Sequence, residues 1–325
     1  MGIPIPFNRY RKNVERKIEM AKYIVKRILI SIPLIIVTIF IVFILLQVVP
    51  GNPIAVMMGE KANPDVIAKV TEEMGLNDPL LQRFGNYIWN VLHGDLGSSY
   101  KLNRPIAGLI ADAFPNTLKL AISSALVAWI IGIPAGIVSA IKKDSVLDRF
   151  LMGFSLVGIS LPVFWAAMLL QYVFGYTLGI LPISGYKTVK HMIMPAFVLG
   201  WASSGTIARL TRSSLLGIMK NDYIRTARAK GIRETLVVVK HGLKNAMIPV
   251  VTMMAMQFAG LLSGAVLTES VFGIGGIGVL MVSAINARDM PLLQGSVIFS
   301  TMIIILGNMV ADLLYSVLDP KIKEQ

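Results

Sequence analysis

The chain has 325 residues, 55% of them hydrophobic and only 15% charged, with a mean hydropathy of +0.69. A soluble domain carries about 25% charged residues, so this composition excludes an ordinary soluble enzyme and indicates a polytopic, all-α membrane protein. There is no cysteine, hence no disulfide framework and no thiolate metal site. The net charge of +13 invites a nucleic-acid reading, which the placement of the charges removes.

Residues 1–27 form a polar, basic tail containing Arg9, Arg11, Lys12, Arg16, Lys17, Lys22, Lys26 and Arg27. An apolar run at 28–49 follows, long enough to span the ~30 Å hydrocarbon core, which takes about 20 residues. A signal peptide would have a shorter core and a small-residue cleavage site, so an uncleaved first span with its N-terminus inside is expected. Residues 50–112 are the longest non-membrane segment. Within it the apolar spacing predicts helices over Asp65–Gly75 and Asp78–His93. The second presents Leu80, Phe84, Tyr87, Ile88 and Val91 on one face. Pro79 suits its first helical position. An external helical cap against the bilayer would fit, with Tyr87 and Trp89 at the interface.

A five-helix core is expected over 113–318. Its apolar runs lie at about 114–141, 150–178, 193–216, 249–272 and 292–318, giving six spans in all. Pro134 and Pro162 interrupt two of them. Gly132/Gly136 and Gly260/Gly264 have the four-residue spacing that lets helices approach closely. A cytosolic loop at 217–248 and a cytosolic tail at 319–325 complete the division. With both termini inside, the inner segments collect most of the lysines and arginines, as the positive-inside rule requires. That sorting accounts for the positive charge without nucleic acid, and no zinc-finger spacing or basic–aromatic stripe is present.

The loop holds the most informative stretch, Asp222 to Pro249. A short helix reads from Tyr223 to Lys230. Asp222 is placed to cap its first turn, and Arg228 and Lys230 sit in the last turn, where the dipole favours cations. Gly231 is expected to end it in the left-handed conformation. A second helix is expected from Arg233 until Pro249 opens the next apolar run. This helix–glycine–helix element resembles the signature loop of the permease subunits of ABC importers, which reads roughly Glu-Ala-Ala, three residues, Gly, and later Leu-Pro. Here the tripeptide is Arg225-Thr226-Ala227. Ala227 and Gly231 match; the Glu does not, and Leu243-Lys244 stands where many members have Leu-Pro. The wording with a delayed proline looks like the first permease subunit of the dipeptide, oligopeptide and nickel branch. The order Gly94–Ser99, Arg104-Pro105-Ile106 and Pro115-Asn116-Thr117-Leu118 resembles the same branch.

Gly273-Ile274-Gly275-Gly276-Ile277-Gly278 formally contains a dinucleotide fingerprint, but it follows a membrane run rather than a strand. It is similar instead to the family's external re-entrant turn. Glu269, Phe272, Gly276 and Gly278 match that pattern, Gly275 replaces its proline, and Asp289 and Pro291 fit the pattern that follows. His93, His191 and His241 lack the spacing of a metal site. There is no phosphate-cradling loop and no nucleophile–base set. Lys119, Glu269 and Asp312 are charges within or near the spans, and anchoring or snorkelling is the expected role.

The resemblance implies a type I ABC importer permease with no cofactor of its own, because ATP and Mg bind partner subunits. The implied partners are a second homologous permease subunit, two ATP-binding-cassette ATPase subunits, an external solute-binding protein and membrane lipid. The chain would form half of the pathway for di- or oligopeptides in the cell membrane. The loop residues Asp222, Tyr223, Arg225, Thr226, Ala227, Arg228, Lys230 and Gly231 would couple it to the ATPases, with Ala227 on the docking face. Nickel or another small solute is the alternative substrate. A stand-alone secondary transporter would need midplane carboxylates, in which the spans are poor.

Overall fold

The computed structural model describes residues 29–44 and 77–318, together with positions 25, 65, 68, 71 and 72. The expected helix over Asp65–Gly75 and the basic tail lie largely outside the described residues. Among those described, every regular element is a helix, and one isolated bridge joins Ser98 to Pro105.

Helix α1 (Leu29–Ile44) packs on α2 (Leu80–Leu92) through rings, Phe40 against Phe84 at 4.8 Å and Phe43 against Phe84 at 5.6 Å. Phe84, Tyr87, Ile88 and Val91 share the half-buried face of α2, while Leu80 is exposed. Pro79 takes the N-cap position rather than the first helical one, and its carbonyl accepts from Gln82 and Arg83. Helix α3 (Ile106–Ile141) is 36 residues long, so it begins eight residues before the expected start at 114. Pro134 lies inside α3 without breaking it. Pro162 acts differently. It separates α4 (Val146–Ser160) from α5 (Val163–Leu170), whose last turns widen into a π-helix at Gln171–Thr177. The two parts meet at 102°, so the run expected as one span over 150–178 is a bent pair. The cause is local: a residue before proline is driven out of the helical region, and Leu161 is extended at ψ 133°.

Helix α6 (Val189–Ile218) follows, with the Thr188 hydroxyl 2.8 Å from His191 Nδ1 at its start. It is rich in small and polar residues (Ser203, Ser204, Gly205, Thr206) and packs on α3, α4 and the helix at Glu234–Leu262. Its contact with α3 is made backbone to side chain. A Cβ built on Gly132 would lie 2.7 Å from the Ser204 carbonyl, and one on Gly136 would lie 2.6 Å from Thr211 Cβ. Both are closer than real side chains approach, so these two glycines form a notch for α6. Gly260 behaves otherwise, since nothing lies within 4 Å of its missing Cβ, and Gly264 stands in a turn at φ +108°. Only the first spaced glycine pair is therefore a helix contact.

A buried ion pair ties three helices together on the loop side. Asp148, 3% exposed at the start of α4, accepts from Arg212 Nε (2.9 Å) and Nη2 (2.7 Å) on α6, from the Ser139 hydroxyl on α3, and from the Asp144 amide. Helix α7 (Asp222–Ala229) is short. Helix α8 runs unbroken from Glu234 to Leu262, with a π-turn segment at Val237–Leu243 and Pro249 inside it. The boundary expected at Pro249 is absent: the second loop helix and the next apolar run are one helix. The run expected at 249–272 ends at Leu262. Beyond it, α9 (Val266–Phe272) and α10 (Ile277–Asn286) form a separate pair bent by 85°. Helix α11 (Met290–Leu318) ends the fold and packs on α8, α10 and α3. Among the described residues α3, α8 and α11 are each long and apolar enough to cross a membrane, and the two bent pairs qualify when each is taken as a unit.

Gly136→Val is expected to cost about 1–3 kcal/mol, the usual range for overpacking, read as a lowered unfolding temperature in detergent. Gly260→Ala, facing open space, should be neutral or mildly stabilising, because alanine is the better helix former. Asp148→Ala or Arg212→Ala should each destabilise by about 3–5 kcal/mol, reduced to the extent that solvent reaches Arg212. In a double-mutant cycle the two losses should fall well short of additive.

Candidate functional site

Two groups of residues stand at opposite ends of α8. At its N-terminal end α7 lies antiparallel against the first turns of α8. Asn221 occupies the N-cap position, and Asp222, expected as the cap, is the first helical residue. Its carboxylate faces Arg225 at 3.5 Å and leaves the amides alone. Ile224 and Ala227 are buried against Val237 of α8. Tyr223 adds a polar pin, its hydroxyl accepting from Asn245 Nδ2 at 2.9 Å. At the other end of α7 Arg228 meets Glu234 with two nitrogens, at 2.6 and 3.0 Å. Gly231 turns the chain between the helices at φ +75°, as its position requires, with open space where a Cβ would point.

The placement of Ala227 departs from expectation. At 6% exposure it is packed within its own chain against Val237 of α8. The exposed positions on α7 and at its C-cap include Tyr223, Arg225, Thr226, Arg228 and Lys230. The helical spacing of Ile224, Ala227 and the following Gly231 was the available signal.

At the far end of α8, α9 and α10 form the hairpin expected from the glycine-rich stretch. Glu269, Phe272, Gly275, Gly276 and Gly278 do come together there. Glu269 is completely buried. Its Oε1 accepts from the Thr117 hydroxyl on α3 at 2.7 Å, and its Oε2 accepts from the Val279 amide at 3.2 Å, in the first turn of α10. Thr117 in turn accepts from the Ile277 amide at 2.9 Å. The neighbouring Asn116 donates to the Gly275 carbonyl at 2.9 Å. A Cβ on Gly276 would sit 2.5 Å from both Thr117 Oγ1 and the Glu269 carboxyl carbon; one on Gly278 would sit 2.6 Å from Val266 Cα. Glycine at these two positions is thus the room the carboxylate occupies.

The other face of the hairpin is held as firmly. Phe272 packs among Leu120, Ala167, Met194 and Val198. Its carbonyl accepts from the Gly185 amide at 2.7 Å, and Gln171 Nε2 donates to the Val271 carbonyl at 3.0 Å. Asp289 does not belong to this turn. It is buried at the junction of α10 and α11 and accepts from the Ser99 hydroxyl (2.5 Å) and from the amides of Tyr100, Lys101 and Leu292. It therefore clasps the loop before α3. Burial pushes the Tyr100 phenol up, and Asp289 adds to that shift.

Comparisons with known proteins show the family. The family described as "binding-protein-dependent transport system inner membrane component" matches residues 132–324, and its N-terminal companion matches residues 20–121. The dipeptide transport system permease protein DppB of Alkalihalophilus pseudofirmus is 40% identical over 332 aligned positions, covering 94% of this chain and 100% of that protein. The glutathione transport system permease protein GsiC of Escherichia coli K12 is 42% identical over 304 positions, covering 94% and 99%. Among solved structures, an inward-facing form of the MetNI methionine ABC transporter superposes with a TM-score of 0.55 at 18% identity, covering 65% of this chain and 96% of that one. At that identity the likeness is one of fold. The chain belongs to the family of inner-membrane permease components of binding-protein-dependent ABC importers.

Proposed function

We propose that this permease forms half of the pathway of a peptide importer and takes its drive from ATPase subunits docked on α7. The observation that carries the coupling reading is the pinning of α7 along α8, which runs without interruption from the basic loop into the membrane. A push on the outer face of α7 has no flexible joint in which to be lost. Peptide substrates are supported by the relatives, whose names specify dipeptide and glutathione transport over nearly the full length of this chain. A second, similar permease subunit would supply the other half of the pathway. A solute-binding protein would deliver substrate from outside, where α9 and α10 stand. In this reading six spans cross the membrane, formed by α1, α3, the α4–α5 pair, α6, α8 and α11. The α9–α10 pair re-enters from the outside, and both termini and the α7 loop lie in the cytosol.

Arg225→Glu replaces a cation by an anion at one exposed position of α7 without touching the buried seam of Ile224 and Ala227. It should lower ATPase co-purification and uptake of a labelled dipeptide or glutathione at least several-fold, with an unchanged unfolding temperature. Ala227→Glu should act in the opposite order: it places a charge in the buried seam and lowers thermal stability first. Full ATPase association and uptake in Arg225→Glu would remove α7 as the coupling element.

The orientation has its own check, helped by the absence of native cysteine. A cysteine replacing Lys230 should resist an impermeant thiol reagent in intact cells and react after permeabilisation. One replacing Leu102, exposed in the outer loop, should react in intact cells. The reverse pattern would invert the topology.

A further inference from the structure

Gly273 supplies the left-handed residue that ends α9, so the backbone of the turn does not by itself call for a buried carboxylate at Glu269. Its environment points elsewhere. No lysine or arginine pairs with Glu269 among the described residues; its charge is met by hydrogen-bond donors and by the N-terminal end of α10. The donors form a directed chain. The Ile277 amide donates to Thr117, which commits the Thr117 hydroxyl proton to Glu269 Oε1, while Val279 donates to Oε2. Two ends of the hairpin thereby converge on one side chain of α3. Asn116, one residue earlier, holds the turn between them.

We infer that Glu269 is a positioning residue of the transport cycle, fastening the α9–α10 hairpin to α3 so that hairpin and helix travel as one body. Opening of the outer side then takes place between this body and its surroundings, and not by the hairpin swinging off α3. The chemistry makes the carboxylate specific. A glutamine has the same shape but one acceptor oxygen, so whichever way it lies, Thr117 O–H or Val279 N–H faces an amide N–H. Each such mismatch leaves a buried donor unsatisfied, which the hairpin can relieve only by separating from α3.

The test uses the assembled importer with cysteine-free partner chains, and spin labels on Ile122→Cys of α3 and Ile285→Cys of α10, both exposed positions. In the parent chain the label-to-label distance should stay narrow and unchanged between the nucleotide-free and vanadate-trapped states. Glu269→Gln and Thr117→Val should each broaden it, and each should lower dipeptide uptake tenfold or more with ATPase subunits still bound. Thr117→Ser, which keeps the hydroxyl, should restore the narrow distance and most of the uptake. A parental distance that shifts between the two states overturns the single-body claim. A narrow distance in both Glu269→Gln and Thr117→Val, or a Thr117→Ser variant as impaired as Thr117→Val, overturns the role of the hydrogen-bond chain. The distances need no substrate, so a failure of the peptide reading would show in the parent's uptake alone.

Discussion

The fold depends on the close contact of α3 with α6 at the Gly132/Gly136 notch. Lipid tails are as apolar as leucine, so helices inside a bilayer gain little from hiding apolar surface against one another. What remains is close packing, and close packing needs surfaces that interlock. Here the two glycines let the Ser204 carbonyl and the Ile207 and Thr211 side chains settle against the α3 backbone. With that pair fixed, Asp148 joins α4 to both helices at one end, and Thr117 and Asn116 hold the hairpin at the other. Helix α3 is thus the post to which both ends of the molecule are fastened. Its own sequence explains the assignment, since small and hydroxylated residues recur on the face turned to its neighbours: Ala113, Thr117, Ala121, Ser124, Ala128, Gly132, Gly136 and Ser139.

The polar groups inside the molecule follow one rule. Asp148, Glu269 and Asp289 are each buried and each receives donors from at least two separate elements. A buried carboxylate left unpartnered would be costly, so such a side chain enforces the geometry that satisfies it. Only Asp148 uses an arginine. The other two are met by hydroxyls and backbone amides, which fix direction more sharply than a flexible cation does. These three positions are therefore joints whose angles are set: Asp148 joins α4 to α3 and α6, Glu269 joins the α9–α10 pair to α3, and Asp289 joins the loop before α3 to the start of α11.

Much of this was legible in the sequence where a residue acts on its own backbone. Gly231 could be placed at a helix end because few other residues adopt that conformation, and the glycine-rich stretch after Phe272 announced a turn. Pro162 and Pro134 show the limit. Both are prolines in apolar runs, yet one bends the chain by 102° and the other sits within a continuous helix. The difference lies in whether the preceding residue leaves the helical region, and that is decided by the packing around it. Pairings were less legible still. Thr117 and Glu269 are separated by 152 positions, and nothing in either local stretch names the other. Ala227 was misplaced because a short amphipathic helix has two faces, and only the presence of Val237 shows which one is covered. The continuity of α8 through Pro249 was hidden for the same reason: proline is a poor helix residue in isolation but is tolerated where the surroundings hold the helix.

The pinning of α7 along α8 has a mechanical consequence. The pins Arg228–Glu234 and Tyr223–Asn245 grip α8 roughly three turns apart. Because α7 lies beside the axis of α8 and not on it, a force on its outer face has a moment arm. Such a force twists α8 about its axis as well as displacing it. Two grips prevent α7 from rolling independently, so the twist passes into the helix, and the wide π-turns at Val237–Leu243 lie between the grips rather than beyond them. Past Asn245 the helix continues to Leu262 without a break, with Pro249 held inside it, so a rotation applied at the grips is carried along its length.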